Sequence, residues 1–211
     1  GTWDVVEVPR GAKVFPSRFV LKVKRNSDGT LERRKARLVL LGNLQRPFVD
    51  FYDTYAPVAD FVVVRIVLEI ACLKHWVVYQ LDVKSAFLNG YIDEEIYMQL
   101  PPQYSRADEK VCKLKRSIYG LRQAPRAWNK RLCEDLKGSG FKALVNAESV
   151  FYGVITGFVV YLIVYVDDIL VASSSETAVL TAKKSLRELY TIKDLGEAEY
   201  FLGVKIEREH N

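Results

Sequence analysis

The chain has 211 residues, 49% hydrophobic and 27% charged, with a formal net charge of +5, the make-up of an ordinary globular protein able to bury its own core. Its longest apolar run, Phe158–Val166, is far short of the ~20 residues a membrane span needs. Cys72, Cys112 and Cys133 are odd in number and far apart, His75 and His210 are the only histidines, and no CxxC pair exists, which counts against a disulfide framework, a zinc site and a histidine-based triad, and fits a reducing compartment.

No signal peptide opens the chain. Gly1-Thr2-Trp3-Asp4 reads as a cut inside a longer protein, and Arg208-Glu209-His210-Asn211 ends without a visible element. Residues 10–37 hold ten basic side chains (Arg10, Lys13, Arg18, Lys22, Lys24, Arg25, Arg33, Arg34, Lys35, Arg37) against Asp28 and Glu32, and the remainder is net negative. The positive field thus comes from one segment. A polyanion is its natural partner, and a solvated lysine-rich hairpin is the plainer alternative.

Within that segment Phe19–Lys24 alternates apolar and polar residues, Asp28-Gly29 signals a turn, and Arg34–Leu40 alternates again, the pattern of a β-hairpin. Phe19, Leu21, Val23, Ala36, Leu38 and Leu40 share one parity and are expected to face the core. Lys22, Lys24, Lys35 and Arg37 share the other and form an exposed cationic face.

From Ala56 to Trp76 the β-branched content suggests strand. The length, and the spacing of Val62, Ile66, Ile70 and Leu73 with Arg65 and Glu69 on another face, favour a helix. A strand begins at Trp76, Asp82 stands where its apolar run ends, and Leu88-Asn89-Gly90 reads as a turn. Glu94–Tyr104 reads as a short strand ended by Pro101-Pro102, and Val111–Gly120 as a strand running into a turn. Ala124–Phe141 is a predicted helix, with Pro125 in its first turn, a stripe of Trp128, Leu132 and Leu136, and Gly138 and Gly140 at its end.

Ser149–Ser175 reads as strands, with Asp167-Asp168 at a turn inside one of the most apolar stretches of the chain. Ser174–Tyr190 follows as a helix capped by Ser174 or Ser175, with Val179, Ala182, Leu186 and Leu189 as its stripe, and Tyr200–Glu207 is a last strand. Irregular alternation of helix and strand gives an α+β or α/β class with a mainly antiparallel sheet.

Asp82 ends one buried strand, and Asp167-Asp168 turns another hairpin. Carboxylates gathered at one sheet edge are relieved by protonation or by divalent cations. Mg²⁺ takes a few carboxylates plus substrate phosphates, and a cationic ribbon suits phosphate substrates. Together these suggest two-metal phosphoryl chemistry. Taken alone, Asp-Asp is more often ordinary turn chemistry.

Four segments now stand in order: LDVKSAFLNG (Leu81–Gly90), SIYGLRQAPRAW (Ser117–Trp128), LIVYVDDIL (Leu162–Leu170) and IKDLGEAEYFLGVKI (Ile192–Ile206). They resemble the reverse-transcriptase motifs of Ty1/copia-type LTR retrotransposon polyproteins, and VLKVKRNSDGT and KARLV resemble the fingers of the same family. The resemblance runs from about Trp3 to Glu207. It implies an α+β right-hand polymerase fold with fingers over residues 1–75 and palm over 76–211. The fingers return near 91–125, and a primer grip lies near 200–205. Thumb, connection and RNase H regions are expected to lie outside the chain.

The resemblance also implies roles. Asp82, Asp167 and Asp168 are the catalytic carboxylates, and Asp82, Val83 and Asp167 hold two Mg²⁺ ions, for which Mn²⁺ can substitute. Phe87 is a steric gate against a ribose 2′-OH, although without the resemblance it reads as core. Lys24, Lys35, Arg37, Tyr119, Gly120 and Arg122 face the dNTP, and Leu202 and Gly203 the primer. His75 and Met98 read as structural. Leu40-Leu41-Gly42-Asn43 departs from the basic and aromatic residues that the family often carries there.

The implied function is RNA-directed DNA synthesis, a nucleotidyl transfer from dNTP to a primer 3′-OH. The partners are an RNA template, a DNA or RNA primer, and the rest of the Pol polyprotein (thumb, RNase H, integrase). No membrane is involved. The implied compartment is a cytoplasmic virus-like particle, with the nucleus as the alternative. Two other readings remain: a non-catalytic nucleic-acid-binding remnant, and a metal-dependent nuclease, which explains neither Phe87 nor YGLRQAP.

Overall fold

The computed structural model describes residues 1–25, 28–101, 104 and 110–207. Asn26, Ser27, Pro102 and His210, which figure in the expectations above, lie outside the described residues. In chain order the elements are β1 (Trp3–Glu7), β2 (Val14–Phe15), β3 (Ser17–Arg25), β4 (Leu31–Leu40), α1 (Phe61–Leu73), β5 (Val77–Val83), β6 (Tyr97–Gln99) and β7 (Lys110–Leu114). Then come α2 (Ala124–Gly138), β8 (Lys142–Leu144), β9 (Ala147–Ile155), β10 (Phe158–Tyr165), β11 (Asp168–Ser173), α3 (Glu176–Leu189), β12 (Ile192–Glu197), β13 (Tyr200–Phe201) and β14 (Val204–Lys205). The class is α+β with mainly antiparallel pairing.

The chain divides into two compact units, Gly1–Ala56 with Phe87–Arg131, and Pro57–Ala86 with Leu132–Asn211. In the first, β1, β7, β6 and β2 form a four-stranded sheet in that order, and β3 and β4 form a separate two-stranded ribbon. Phe15, Leu40, Ile96, Met98, Cys112, Leu114 and Ile118 make its core. Burial of Met98 and the Pro125 helix start agree with the sequence reading.

The ribbon has the predicted parity but not the predicted burial. Phe19 pairs with Leu38, Leu21 with Ala36, and Lys22 with Lys35, so these residues fall on two faces as predicted, although Arg34 joins Val23 on the apolar face and Val20 joins Arg37 on the cationic one. Yet Leu21 is 76% exposed and Val23 52%. Only Leu40, at the base, is buried. Among the described residues the ribbon joins no larger sheet, so most of it stays exposed away from its base, and alternation marks the faces without covering one.

In the second unit, β12, β5, β11, β10, β9 and β8 form a six-stranded sheet in that order. Val78, Leu170 and Ala172 alternate onto one face and pack with Val64, Val67 and Ala71 of α1. The other face meets α3, where Lys183 Nζ stands 4.1 Å over the Tyr79 ring. Asp60 caps α1, its carboxylate accepting the Val62 N–H, and Ser175 caps α3 by accepting the Ala178 N–H. The predicted α1 stripe is displaced: Val62, Ile66, Ile70 and Leu73 are exposed, and Val64, Val67 and Ala71 are buried instead. Helix α1 is apolar nearly all round, so spacing could not orient it. In α3, Val179, Ala182 and Leu186 are buried as expected, but Leu189 is exposed.

Tyr200–Glu207 is not one strand. It is a tight hairpin of β13 and β14 whose turn residues, Leu202 and Gly203, have φ of 51° and 82°. Thr156-Gly157 turns β9 into β10 in the same left-handed conformation, with φ of 50° and 84°. Two successive positive φ values are what a type I′ hairpin demands.

Candidate active site

The three aspartates meet at one end of the six-stranded sheet. Asp168 of β11 pairs with Asp82 of β5. On either side, Tyr165 of β10 pairs with Asp168, and Lys193 of β12 pairs with Asp82. Antiparallel partners share a face, so Lys193, Asp82, Asp168 and Tyr165 form one row across four strands. It continues the face that α1 packs on, because Asp82, Gln80 and Val78 alternate onto one side and Val78 lies in that cluster.

Asp167 occupies the two-residue turn with Val166, and its carbonyl accepts the Val83 N–H at 2.7 Å. Val166 has φ of 54°, a rare conformation for a β-branched residue. Gln80 Nε2 donates to Asp168 Oδ1 at 3.3 Å. Burial raises the Asp168 pKa above its ordinary value. The neighbouring charges of Asp167 and Asp82 push the same way, against the Gln80 hydrogen bond.

Among the described residues no three His, Cys, Asp or Glu side chains are gathered tightly enough to enclose a metal ion by themselves. An all-protein cage is not what Mg²⁺ needs, since it takes one or two carboxylates and completes its shell with substrate phosphates and water. Asp82 and Asp168 on adjacent strands, with Asp167 next in the chain, supply the hard oxygen donors that such a site uses.

The remaining predicted residues lie in the first unit and on the β13–β14 hairpin. The Arg37 guanidinium carbon stands 5.2 Å from the Tyr119 ring centroid. The Phe87 and Tyr119 rings meet edge to face at 5.2 Å. The structure therefore brings Arg37, Tyr119 and Phe87 into one stack. Arg37 Nε is buried with no hydrogen-bond partner among the described residues. Lys35 is on the Arg37 face of the ribbon, while Lys24 pairs with Arg33, ~13 Å from Arg37 along the strands at about 3.3 Å per residue. Arg122 is held by backbone: its Nε donates to Gly42 O at 3.2 Å. Gly120, with φ of 94°, lies so close to β4 that a Cβ would sit 2.0 Å from Leu40 O. Leu202 packs against the α1 cluster, beside the buried Phe201.

Gln80, Lys193 and Gln45 were not singled out in the sequence, and Gln123 entered only as part of YGLRQAP. Gln80 had a signal, a polar residue inside an apolar strand, two positions before Asp82 and so on its face. Lys193 had none, because only the pairing of β12 with β5 sets it beside Asp82.

A family model described as reverse transcriptase (RNA-dependent DNA polymerase) matches residues 1–211. The retrovirus-related Pol polyprotein from transposon RE1 of Arabidopsis thaliana is 40% identical over 98% of this chain, which covers 14% of that protein. The Pol polyprotein from transposon TNT 1-94 of Nicotiana tabacum is 37% identical over 99% of this chain and 16% of its own length. This chain thus spans a small part of the curated relatives it matches. A foamy viral protease–reverse transcriptase solved in complex with double-stranded DNA aligns with a TM-score of 0.43 and 14% identity over 88% of this chain and 26% of that one, too loose a likeness to place side chains.

Proposed function

Because this chain belongs to the reverse transcriptase (RNA-dependent DNA polymerase) family carried by copia-type Pol polyproteins, we propose that it is the fingers and palm of a polymerase that copies RNA or DNA into DNA. The observation that carries this reading is the register pairing of Asp82 with Asp168, with Asp167 at the adjoining turn. In the reaction the primer 3′-oxygen attacks the α-phosphorus of a dNTP. A P–O bond forms there, the bond to the β-phosphate oxygen breaks, and pyrophosphate leaves.

Asp82, Asp167 and the Val83 backbone would hold Mg²⁺, with Mn²⁺ as a substitute and Asp168 beside them. When bound, the ions lower the pKa of the 3′-OH and stabilise the pyrophosphate. Phe87, five residues after Asp82 in the chain, excludes a 2′-OH by its bulk. Arg37, with Lys35 and Lys24 further along the ribbon, draws in the triphosphate, and Arg122 adds a phosphate contact. Tyr119 and Gly120 line the nascent pair, and the Leu202-Gly203 turn supports the primer backbone. On this reading the first unit is fingers and the second palm, so that α1 belongs to the palm. The rest of the Pol polyprotein supplies thumb, RNase H and integrase, in a cytoplasmic virus-like particle or in the nucleus.

Primer extension tests the proposal. The purified chain is given an RNA template, a DNA primer, dNTPs and Mg²⁺ or Mn²⁺, with Asp167→Asn as control. Extension by the wild type alone is expected. Equal extension by the control would overturn the carboxylate assignment. Salt-sensitive template binding without extension, persisting when the chain is lengthened beyond Asn211 from its parent sequence, would favour the non-catalytic remnant.

A further inference from the structure

Behind the Tyr119–Arg122 loop lies a buried pair of amides. Gln45 is 6% exposed and Gln123 3%. Gln45 Nε2 donates to Gln123 Oε1 at 3.0 Å and to Asp50 O at 3.4 Å. Gln123 Nε2 donates to Glu94 Oε2 at 3.2 Å and to Asp50 O at 3.3 Å. Gln45 Oε1 accepts the Arg122 N–H at 2.9 Å. All four amide N–H bonds have acceptors and both carbonyl oxygens have donors, so each amide has one workable orientation. Turning Gln45 over would set its NH₂ against the Arg122 N–H.

The loop that Gln45 grips is fixed along its backbone as well. Leu40 N–H donates to Tyr119 O at 2.9 Å. A Cβ on Gly42 would lie 1.9 Å from Gly120 O. Residues 40–45 and 119–123 therefore run backbone against backbone. The Gln45 amide is one side-chain link between them, and the Arg122 guanidinium, which bonds Gly42 O, is a second.

We propose that Gln45 is a positioning residue for nucleotide binding. Through Arg122 and Gln123 it holds Tyr119, Gly120 and Arg122 in the shape that meets an incoming dNTP. The inference rests on the polymerase reading above. A loop ordered beforehand loses little freedom when the nucleotide arrives, so the effect falls on dNTP affinity and leaves chemistry and template affinity alone. Fully satisfied buried amide networks fix geometry in a way that apolar packing does not.

A fold-only role makes a different forecast. Replacing both partners of a buried hydrogen bond by apolar groups of similar shape is nearly neutral for stability. The double variant Gln45→Leu/Gln123→Leu removes both halves of their mutual bond but leaves the Arg122 N–H and Asp50 O without these partners. Its fold is therefore checked first by circular dichroism and urea unfolding. If the pair serves packing alone, the folded variant keeps dNTP binding intact. The test measures the wild type, the double variant and Gln45→Glu, which keeps an acceptor for the Arg122 N–H. Readouts are steady-state dNTP incorporation, template–primer affinity, and hydrogen exchange of the 119–123 amides with and without dNTP.

The expected result is a folded double variant whose KM for dNTP rises about tenfold, the loss of one hydrogen bond to a positioned group. Its kcat and template–primer Kd stay within about twofold of wild type, and its 119–123 amides exchange faster. Gln45→Glu keeps the acceptor for the Arg122 N–H but turns a carboxylate oxygen toward Gln123 Oε1 and Asp50 O, so its KM for dNTP is expected to rise as well. A folded double variant with unchanged KM and unchanged loop exchange would overturn the proposal. If the wild type neither extends primers nor gains dNTP-dependent protection in this loop, the polymerase reading itself fails and takes the proposal with it. Faster loop exchange together with lost dNTP protection supports it even where the wild type extends poorly.

Discussion

Asp82 and Asp168 are register partners, facing each other across the pairing of β5 with β11. Like charges directly opposite on an antiparallel pair oppose folding. Burial adds to that by raising Asp168. Two residues before Asp168, Val166 holds a positive φ, which costs about 1–3 kcal/mol. Around these residues Leu81, Ile169, Leu170 and Val171 are fully buried and regular. Two local rules are thus broken at one spot in an otherwise consistent sheet, the pattern expected where function overrides stability.

Asp168→Asn should therefore stabilise the metal-free chain. The carboxyl titrates above its usual value of 3.8 when folded, so the folded state holds its proton more tightly than the unfolded state does. This group favours folding most at low pH, and that advantage is lost as pH rises from 3.8 through the folded pKa. Asn keeps the oxygen that Gln80 bonds and removes the charge. A gain on the order of 1 kcal/mol or less is expected, or ~1–4 °C in Tm for a chain of this size. Thermal unfolding with a chelator across the acidic and neutral range checks it. The gain should vanish at the acid end, and a lower Tm at neutral pH would contradict the account.

Phe87→Ala should admit ribonucleotides. The ring is half-buried and leans edge to face on Tyr119, so it is supported from one side. On the proposed reading, removing it eliminates the clash with a 2′-OH and leaves Asp82, Asp167 and Asp168 in place. The dNTP-to-rNTP ratio of kcat/KM is expected to fall at least ~10-fold, the scale of a removed steric block. Single-nucleotide incorporation measures it. An unchanged ratio in an active variant would return Phe87 to a core role.

The cationic face of the β3–β4 ribbon should carry the salt dependence of nucleic-acid binding. Lys22 pairs with Lys35 and Lys24 with Arg33, so four cations share one face, Lys22 and Arg33 exposed and Lys24 and Lys35 partly so. Every phosphate that the protein ceases to neutralise reduces the slope of log Kobs against log salt by ~0.9 on a duplex and ~0.7 on a single strand. Lys22→Ala/Arg33→Ala should therefore flatten the slope by ~1.4–1.8 without changing sequence preference. Fluorescence anisotropy over a salt series decides, and an unaltered slope would move the binding face elsewhere.

The sequence was most informative where polar residues interrupt an apolar background. YVDD stood out because Asp167-Asp168 breaks the run from Val159 to Leu170, and the hairpin it implied is present as β10 and β11. The β3–β4 ribbon was legible in register but not in burial, since alternation cannot say whether anything covers a face. In α1 the difficulty was the reverse: residues 61–73 are apolar nearly all round, so the helix was visible and its buried side was not. Strand β12 was hidden because IKDLGE alternates weakly and its register shifts at a bulge between Asp194 and Gly196. The buried partnership of Gln45 and Gln123, far apart in the chain, leaves no local trace at all.

Asp194→Asn should destabilise the second unit more than any surface change. Lys183, its side chain only 5% exposed, reaches Asp194 at 2.6 Å, and Arg187 joins the same carboxylate at 2.7 Å. Breaking a fully buried pair from one side costs about 3–5 kcal/mol. With Asp194 24% exposed and Lys183 Nζ still over the Tyr79 ring, a cost of about 1–3 kcal/mol is expected here. Burial by itself would raise the Asp194 pKa. The Lys183 hydrogen bond, the Gly196 N–H and the charges of Lys183 and Arg187 outweigh it and hold the carboxyl below its usual value. Its contribution is therefore present above the ordinary carboxylate pKa of 3.8 and lost as pH falls through the lower folded value. Urea unfolding at neutral and acidic pH should show a deficit for Asp194→Asn that narrows with acid. The double variant Lys183→Met/Asp194→Asn, which removes both charges from the interior, should recover most of it. A single variant within about 1 kcal/mol of wild type would mean that Lys183 reaches water after all and that the pair is no more than a surface bridge.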